Sequence, residues 1–158
     1  MTPLPEWITT GAEQTRQMIA LLHEIKPAEA ADPASIEVLY ALGFAALNAR
    51  QHDQAQALFT ALVSQQPTES RFVAGLALAS AGVGDLELAL SLHMMAVALD
   101  TDNTRLLLGW AETLIALGQR SEAAVVLELI ELAARHDSSL AGLRQRAHAL
   151  LELINHDA

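Results

Sequence analysis

Cysteine is absent from this 158-residue sequence, which excludes disulfides, thiolate nucleophiles and cysteine-ligated metals. Lysine is nearly absent too. Lys26 is the only one, and nine basic side chains face nineteen acidic ones, for a formal charge of −10. Such a surface repels phosphate backbones, so no nucleic-acid partner is expected. Nor does it hold a polybasic patch for anionic lipid. Long apolar runs are missing: stretches such as AAVVL (residues 123 to 127) stop at glutamates, far short of the ~20 residues of a membrane span, so no stable membrane insertion is expected. The N-terminal stretch MTPLPEWITTGAEQ has no basic segment leading into an apolar one, so it does not read as a secretory signal and the chain is expected in the cytoplasm.

Aromatic residues are scarce as well, at 4% of a chain that is 52% hydrophobic. The apolar content is therefore mostly alanine and leucine, the strongest helix formers, and the expected class is all-α. The length suits one domain with a core of its own.

The sequence repeats itself. GDLELALSL begins at Gly84 and GQRSEAAVVL at Gly118, 34 residues later. Blocks counted from Ile36, Ser70 and Thr104 fall into register. In their first halves Leu39, Val73 and Leu107 align, as do Leu42, Leu76 and Trp110, each followed by a small residue, Gly43, Ala77 or Ala111. In their second halves Ala55, Ala89 and Ala123 are identical; then come Phe59, His93 and Leu127, and after them Leu62, Ala96 and Ile130. Pro67 closes the first block, where Thr101 and Arg135 stand later.

This is the layout of the tetratricopeptide repeat. Two antiparallel helices approach closely only where a side chain is small, hence Gly43 and Ala55, and Leu42 and Phe59 are expected to fill the space around that crossing. Gly84 and Gly118 supply the permissive backbone of the turn between helices, where the first block carries Arg50. One helix pair cannot bury its own stripe, so pairs stack. The expected architecture is a superhelix of three pairs (residues 36–69, 70–103 and 104–137), with an extra N-terminal helix in residues 1–35 and a C-terminal capping helix in residues 138–158.

The capping helix carries Leu140, Leu143, Ala147, Leu150 and Ile154 on one stripe, with Asp137 or Ser138 as N-cap. The N-terminal segment carries Met18, Ile19, Leu22 and Ile25 on one side. KPAEAADPAS (residues 26 to 35), with two prolines, is expected to break the helix there. That apolar side either folds back on the first repeat or pairs with a second chain, and Met18, Ile19, Leu22 and Ile25 are the candidate dimerisation residues.

Catalytic chemistry finds no foothold. There is no G-x-S-x-G and no nucleophile with a base and an orienting group. The six histidines show no H-x-x-x-H pair, so neither metal nor cofactor is expected. His93 occupies the slot held by Phe59 and reads as a half-buried packing residue, and Trp110 as core. Trp7 is either an interface anchor or simply exposed.

Function then falls to the surface that stacking creates. The first helix of each pair is expected to line the concave side, with a face that reads Glu37, Tyr40, Phe44 and Leu47, then Arg71, Ala74, Leu78 and Ala81, then Arg105, Leu108, Glu112 and Ile115. Tyr40 and Phe44 lie one helical turn apart and share a face. Rings beside small residues make pockets for the side chains of an extended peptide; the other reading is that the chain's own N-terminal helix covers them. Arg71 and Arg105 either bond a ligand's carbonyls or carboxylates or pair with Glu69 and Glu112. The client-peptide groove is thus expected at Tyr40, Phe44, Leu47, Arg71, Ala74, Leu78, Arg105 and Leu108.

Over residues 36 to 154 the chain resembles the class II chaperones of bacterial type III secretion, chiefly at LYALGF (residues 39 to 44), ESRFVAGL (69 to 76) and GLRQRAHALLELI (142 to 154). The resemblance implies a cytoplasmic, non-enzymatic chaperone, frequently a homodimer through its N-terminal region. Its groove would bind a P-x-L-x-x-P-like segment of type III secretion translocator proteins and keep them soluble and secretion-competent. Tyr40 and Phe44 match the family's groove rings; Leu47 stands where a further ring is common. Two alternatives are a chaperone of the needle subunit or another export component, and a general tetratricopeptide peptide-binding scaffold. Carboxylate-clamping scaffolds usually need several lysines or arginines plus asparagine in the groove, and the one lysine of this chain lies outside the repeats.

Overall fold

A computed structural model of the chain describes residues 31–156. The expected N-terminal helix, with Met18, Ile19, Leu22 and Ile25, lies outside the described residues, as does Trp7. Among the described residues every regular element is helical. The chain divides after Asp100 into two compact units. The first holds α1 (Pro33–Asn48), α2 (His52–Gln65), α3 (Ser70–Gly82) and α4 (Leu86–Leu99). The second holds α5 (Leu106–Ala116), α6 (Arg120–Ala133), two 3-10 turns (Ala134–His136 and Ser138–Leu140) and α7 (Ala141–His156).

The helix-to-helix turn repeats in atomic detail. After α1, the Gln51 N–H bonds the Ala46 carbonyl at 2.9 Å and the Arg50 N–H bonds that of Leu47 at 3.0 Å. The same two bonds run from Asp85 to Ser80 and Gly84 to Ala81 after α3, and from Gln119 to Leu114 and Gly118 to Ile115 after α5. This is the Schellman cap, which satisfies the last carbonyls of a helix by turning one residue left-handed. The left-handed residues are Arg50 (φ 58°), Gly84 (φ 91°) and Gly118 (φ 75°). Two glycines adopt that conformation freely; Arg50 adopts it against its Cβ.

Helix starts differ in two places from the sequence reading. Pro33, in the stretch expected to end the N-terminal helix, opens α1 three residues before the first block, because the first turn needs no N–H from it. Asp32 caps that end, accepting from the Ala34 N–H at 3.0 Å and the Ser35 hydroxyl at 2.7 Å. These hydrogen bonds, the Ser35 hydroxyl first, hold its carboxyl below the usual carboxylate range. At the other end Asp137 accepts from the Ser139 N–H at 2.9 Å, but what it caps is a 3-10 turn, and α7 begins only at Ala141.

The second-half slots of the repeat are the core. Ala55, Ala89, Ala123, Phe59, Leu127, Leu62, Ala96 and Ile130 are all fully buried. His93 is only 3% exposed, so it is more deeply enclosed than the half-buried residue expected. Burial pushes its imidazole pKa down to about 4, since a charge there would lose its water. In the first unit the Phe59 ring lies in a notch that only glycine allows: a Cβ on Gly43 or Gly75 would meet it at 2.9 or 2.1 Å. In the second unit Trp110, Leu114, Val126, Leu127, Ile130, Ala147 and Ile154 form the buried set.

Leu42 contradicts the sequence reading. It was expected beside Phe59 at the helix crossing, yet it is 51% exposed. The reason is its position on the end helix: among the described residues α1 packs on α2 and α3 alone, and its face carrying Val38 and Leu42 meets neither. Gly43, one residue on, is what faces the Phe59 ring.

Candidate functional site

In the first unit, helices α1 and α3 pack against each other as well as against α2. Of the residues expected to line a groove there, Tyr40, Phe44 and Leu47 on α1 and Arg71 and Ala74 on α3 are half-buried, and Leu78 on α3 is 37% exposed. The spacing that set Tyr40 and Phe44 on one face brings their ring centroids to 5.0 Å, edge to face. Beneath them lie two buried rings. Tyr40 is 6.2 Å from Phe59 and 5.6 Å from Phe72, and Phe44 is 5.6 Å from Phe59. Every phenylalanine of the chain and its single tyrosine thus meet in one cluster, and edge-to-face contacts of this kind add to the burial of the rings.

Arg71 covers one side of that cluster. Its guanidinium carbon lies 4.7 Å from the Tyr40 ring centre and 4.9 Å from that of Phe72, within reach of a cation–π attraction. Glu37, one repeat earlier, accepts from both terminal nitrogens, Nη1 at 3.2 Å, and Glu69 lies 3.6 Å from Nε. The bond from Arg71 holds the Glu37 carboxyl below its ordinary range. Burial pushes the Tyr40 phenol up, with Arg71 working the other way, so the ring stays neutral near pH 7.

The pairing expected for the arginines is met for one and revised for the other. Arg71 pairs with Glu69 but more closely with Glu37. Arg105 sits just before α5 and donates to the Ser139 carbonyl at 3.0 Å. Glu112, the partner expected for it, is held instead by Arg146, at 2.8 Å from Nε. All three contacts, Arg71 to Glu37, Arg105 to Ser139 and Arg146 to Glu112, join residues 34 apart. Equivalent positions on successive repeats are therefore neighbours. Leu108 is half-buried in the second unit.

Sequence reasoning missed Phe72 as a member of the ring cluster. Its signal was the aromatic residue inside SRF at the start of α3, next to an arginine. Chemically, the first unit offers a half-open aromatic shelf with an apolar margin at Leu78 and a tethered guanidinium at its edge. Such a surface accepts apolar side chains of a peptide and one acceptor group beside them.

The tetratricopeptide repeat family model matches residues 81–152. No curated protein matches the chain by sequence. Among solved structures, a type III secretion complex from Aeromonas hydrophila is 30% identical, with 80% of this chain and 84% of that one covered and a TM-score of 0.73. The type III secretion translocator chaperone SycD of Yersinia enterocolitica is 27% identical, covering 88% and 92%, with a TM-score of 0.73. PcrH from Pseudomonas aeruginosa is 27% identical, covering 83% and 99%, with a TM-score of 0.75. PcrH has also been solved with the chaperone-binding regions of PopB and PopD, and SycD with a peptide of the translocator YopD and as an alternative dimer.

Proposed function

We infer the role of this chain from one premise: it belongs to the class II translocator chaperones of type III secretion systems, which are built from tetratricopeptide repeats. On that premise the chain holds an apolar translocator through an extended P-x-L-x-x-P-like segment and keeps it soluble until export. It works by binding alone rather than by catalysis, consistent with a sequence that offers no nucleophile with its base. The reading also includes residence in the bacterial cytoplasm. Among the described residues no helix is long and apolar enough to cross a membrane.

The observation that carries the reading is the shelf of Tyr40 and Phe44 over Phe59 and Phe72, on a chain similar to chaperones solved with translocator segments. The client segment lies along α1 and α3, its apolar anchors against Tyr40, Phe44, Leu47, Ala74 and Leu78, while Arg71 meets a backbone carbonyl or acidic group. Arg105, which also donates to the Ser139 carbonyl, and Leu108 are the client-contact residues proposed within the second unit. Self-association through Met18, Ile19, Leu22 and Ile25 completes the proposal, as SycD has been solved as a dimer.

Because Tyr40 and Phe44 pack on buried rings, truncating them would mix binding with stability. Leu78 separates the two. It is 37% exposed, so Leu78→Ala should leave the thermal midpoint nearly unchanged while weakening a translocator-derived peptide by about tenfold, the scale of one lost apolar anchor. Calorimetric titration measures it, and unchanged affinity would remove α3 from the client surface. A peptide that binds as a helix rather than an extended strand would favour the needle-subunit alternative.

A further inference from the structure

The second unit contains a cavity of about 550 Å³, well inside the range of small-molecule sites. It lies between the end of α6, the two 3-10 turns and the first turns of α7, with Arg135, His136, Arg144 and His148 in its walls together with Glu131 and Asp137. Nothing in the translocator-holding role uses it.

The hydrogen-bonding capacity of those walls is unevenly committed. Glu131 is taken by His148, whose Nδ1 lies 2.9 Å from its Oε1, and a second carboxylate, Glu152, lies 3.5 Å from Nε2 of the same ring. Asp137 is ionised, held below the usual carboxylate range first by its bond to Ser139, and accepts the Ser139 N–H. Each of these two wall carboxylates therefore already has a partner. The two guanidinium groups do not: Arg135 and Arg144 make no hydrogen bond or ion pair with any described residue. Two fork-shaped donors border the same cavity in a chain whose formal charge is −10. A guanidinium binds carboxylate or phosphate oxygens through paired, parallel hydrogen bonds.

We propose that this cavity is a binding site for a small polyanion, a molecule bearing at least two phosphate or carboxylate charges, chelated by Arg135 and Arg144. Ser138 and Gln145 in the same walls supply neutral donors beside the two guanidinium groups.

The test uses the full chain and two probes, inorganic pyrophosphate and citrate, titrated at constant ionic strength while the histidine ring resonances are followed by NMR. Saturable shifts should appear at His136 and His148, in the cavity, and not at His52 and His93 of the first unit. Changing Arg135→Gln together with Arg144→Gln should weaken binding about tenfold or more, whereas Arg50→Gln, an exposed arginine of the first unit, should not. Both replaced side chains of the double variant are exposed, so a retained helical spectrum checks that the fold is intact. Saturation by either probe with this dependence supports the site and tells which oxyanion it prefers. Saturation by neither, or equal weakening by Arg50→Gln, overturns it.

Discussion

The two units share a repeat but not a chemistry. In the first, four rings gather within centroid distances of 5.0 to 6.2 Å, with Tyr40 meeting each of the other three. In the second, the slot of Phe59 holds Leu127, and the core is aliphatic around Trp110. The small residues at the crossings, Ala55, Ala89 and Ala123, are the same throughout and fully buried. Scaffold and ring cluster therefore sit at different positions of one repeat. The small residues let the helices approach, and the large slot beside them is filled by whatever the local surface needs: a ring where an aromatic shelf is built above it, a leucine where none is.

The comparison can be broken most forcefully at Phe59. Truncation to alanine should cost about 3–5 kcal/mol, as for other fully buried rings, measured by urea denaturation. It should also weaken peptide binding, because the floor under Tyr40 and Phe44 is gone. Leu127→Ala, the same slot in the second unit, should cost about 2–5 kcal/mol and leave peptide affinity unchanged in the molecules that stay folded.

The middle repeat offers a pH-dependent version of the same test. Above about pH 6.5 folded and unfolded chains both carry His93 neutral, and the group contributes nothing. As pH falls, the unfolded chain takes up a proton that the folded chain refuses until about pH 4. Stability should therefore drop across that window, by about 3 kcal/mol in all. His93→Leu, which installs the residue of the third repeat, should remove this component. It is read as the difference between the two proteins in urea midpoint over a pH series, and identical profiles would mean that His93 gains its proton while folded.

The smallest effect lies in the turns. Arg50→Gly relieves a left-handed residue and should stabilise by about 0.5–1 kcal/mol. Gly118→Ala imposes the same strain on the third turn and should destabilise by about 1 kcal/mol. Opposite shifts in urea midpoint would show that the three Schellman caps are energetically as well as geometrically equivalent.

The turns were also the most legible feature of the sequence, because a left-handed residue announces itself as glycine twice and leaves only Arg50 to be placed by its 34-residue phase. The buried slots were legible for a similar reason: periodicity reports which side of a helix is apolar. Leu42 shows the limit. Its phase is that of Leu76 and Trp110, but Trp110 is 4% exposed and Leu42 is 51%, because burial requires a neighbour and, among the described residues, α1 has one only on its other faces. Of the expected groove residues, Tyr40, Phe44 and Arg71 come together closely, whereas Arg105 turns to the Ser139 carbonyl.

The sequence by itself determined what depends on one helix and its own repeat: the all-helical class, the 34-residue period, the small residues at the crossings, the left-handed turns, and the shared face of Tyr40 and Phe44. Those follow from local sterics and from the phase of side chains about a helix axis. Only the tertiary structure decided that Phe72 joins those rings from the next repeat, that Glu37 rather than Glu69 is the closer anchor of Arg71, and that Arg135 and Arg144 border a common cavity. Each of these depends on how far apart two helix surfaces come to rest, a distance set by the side chains packed between them rather than by either helix alone.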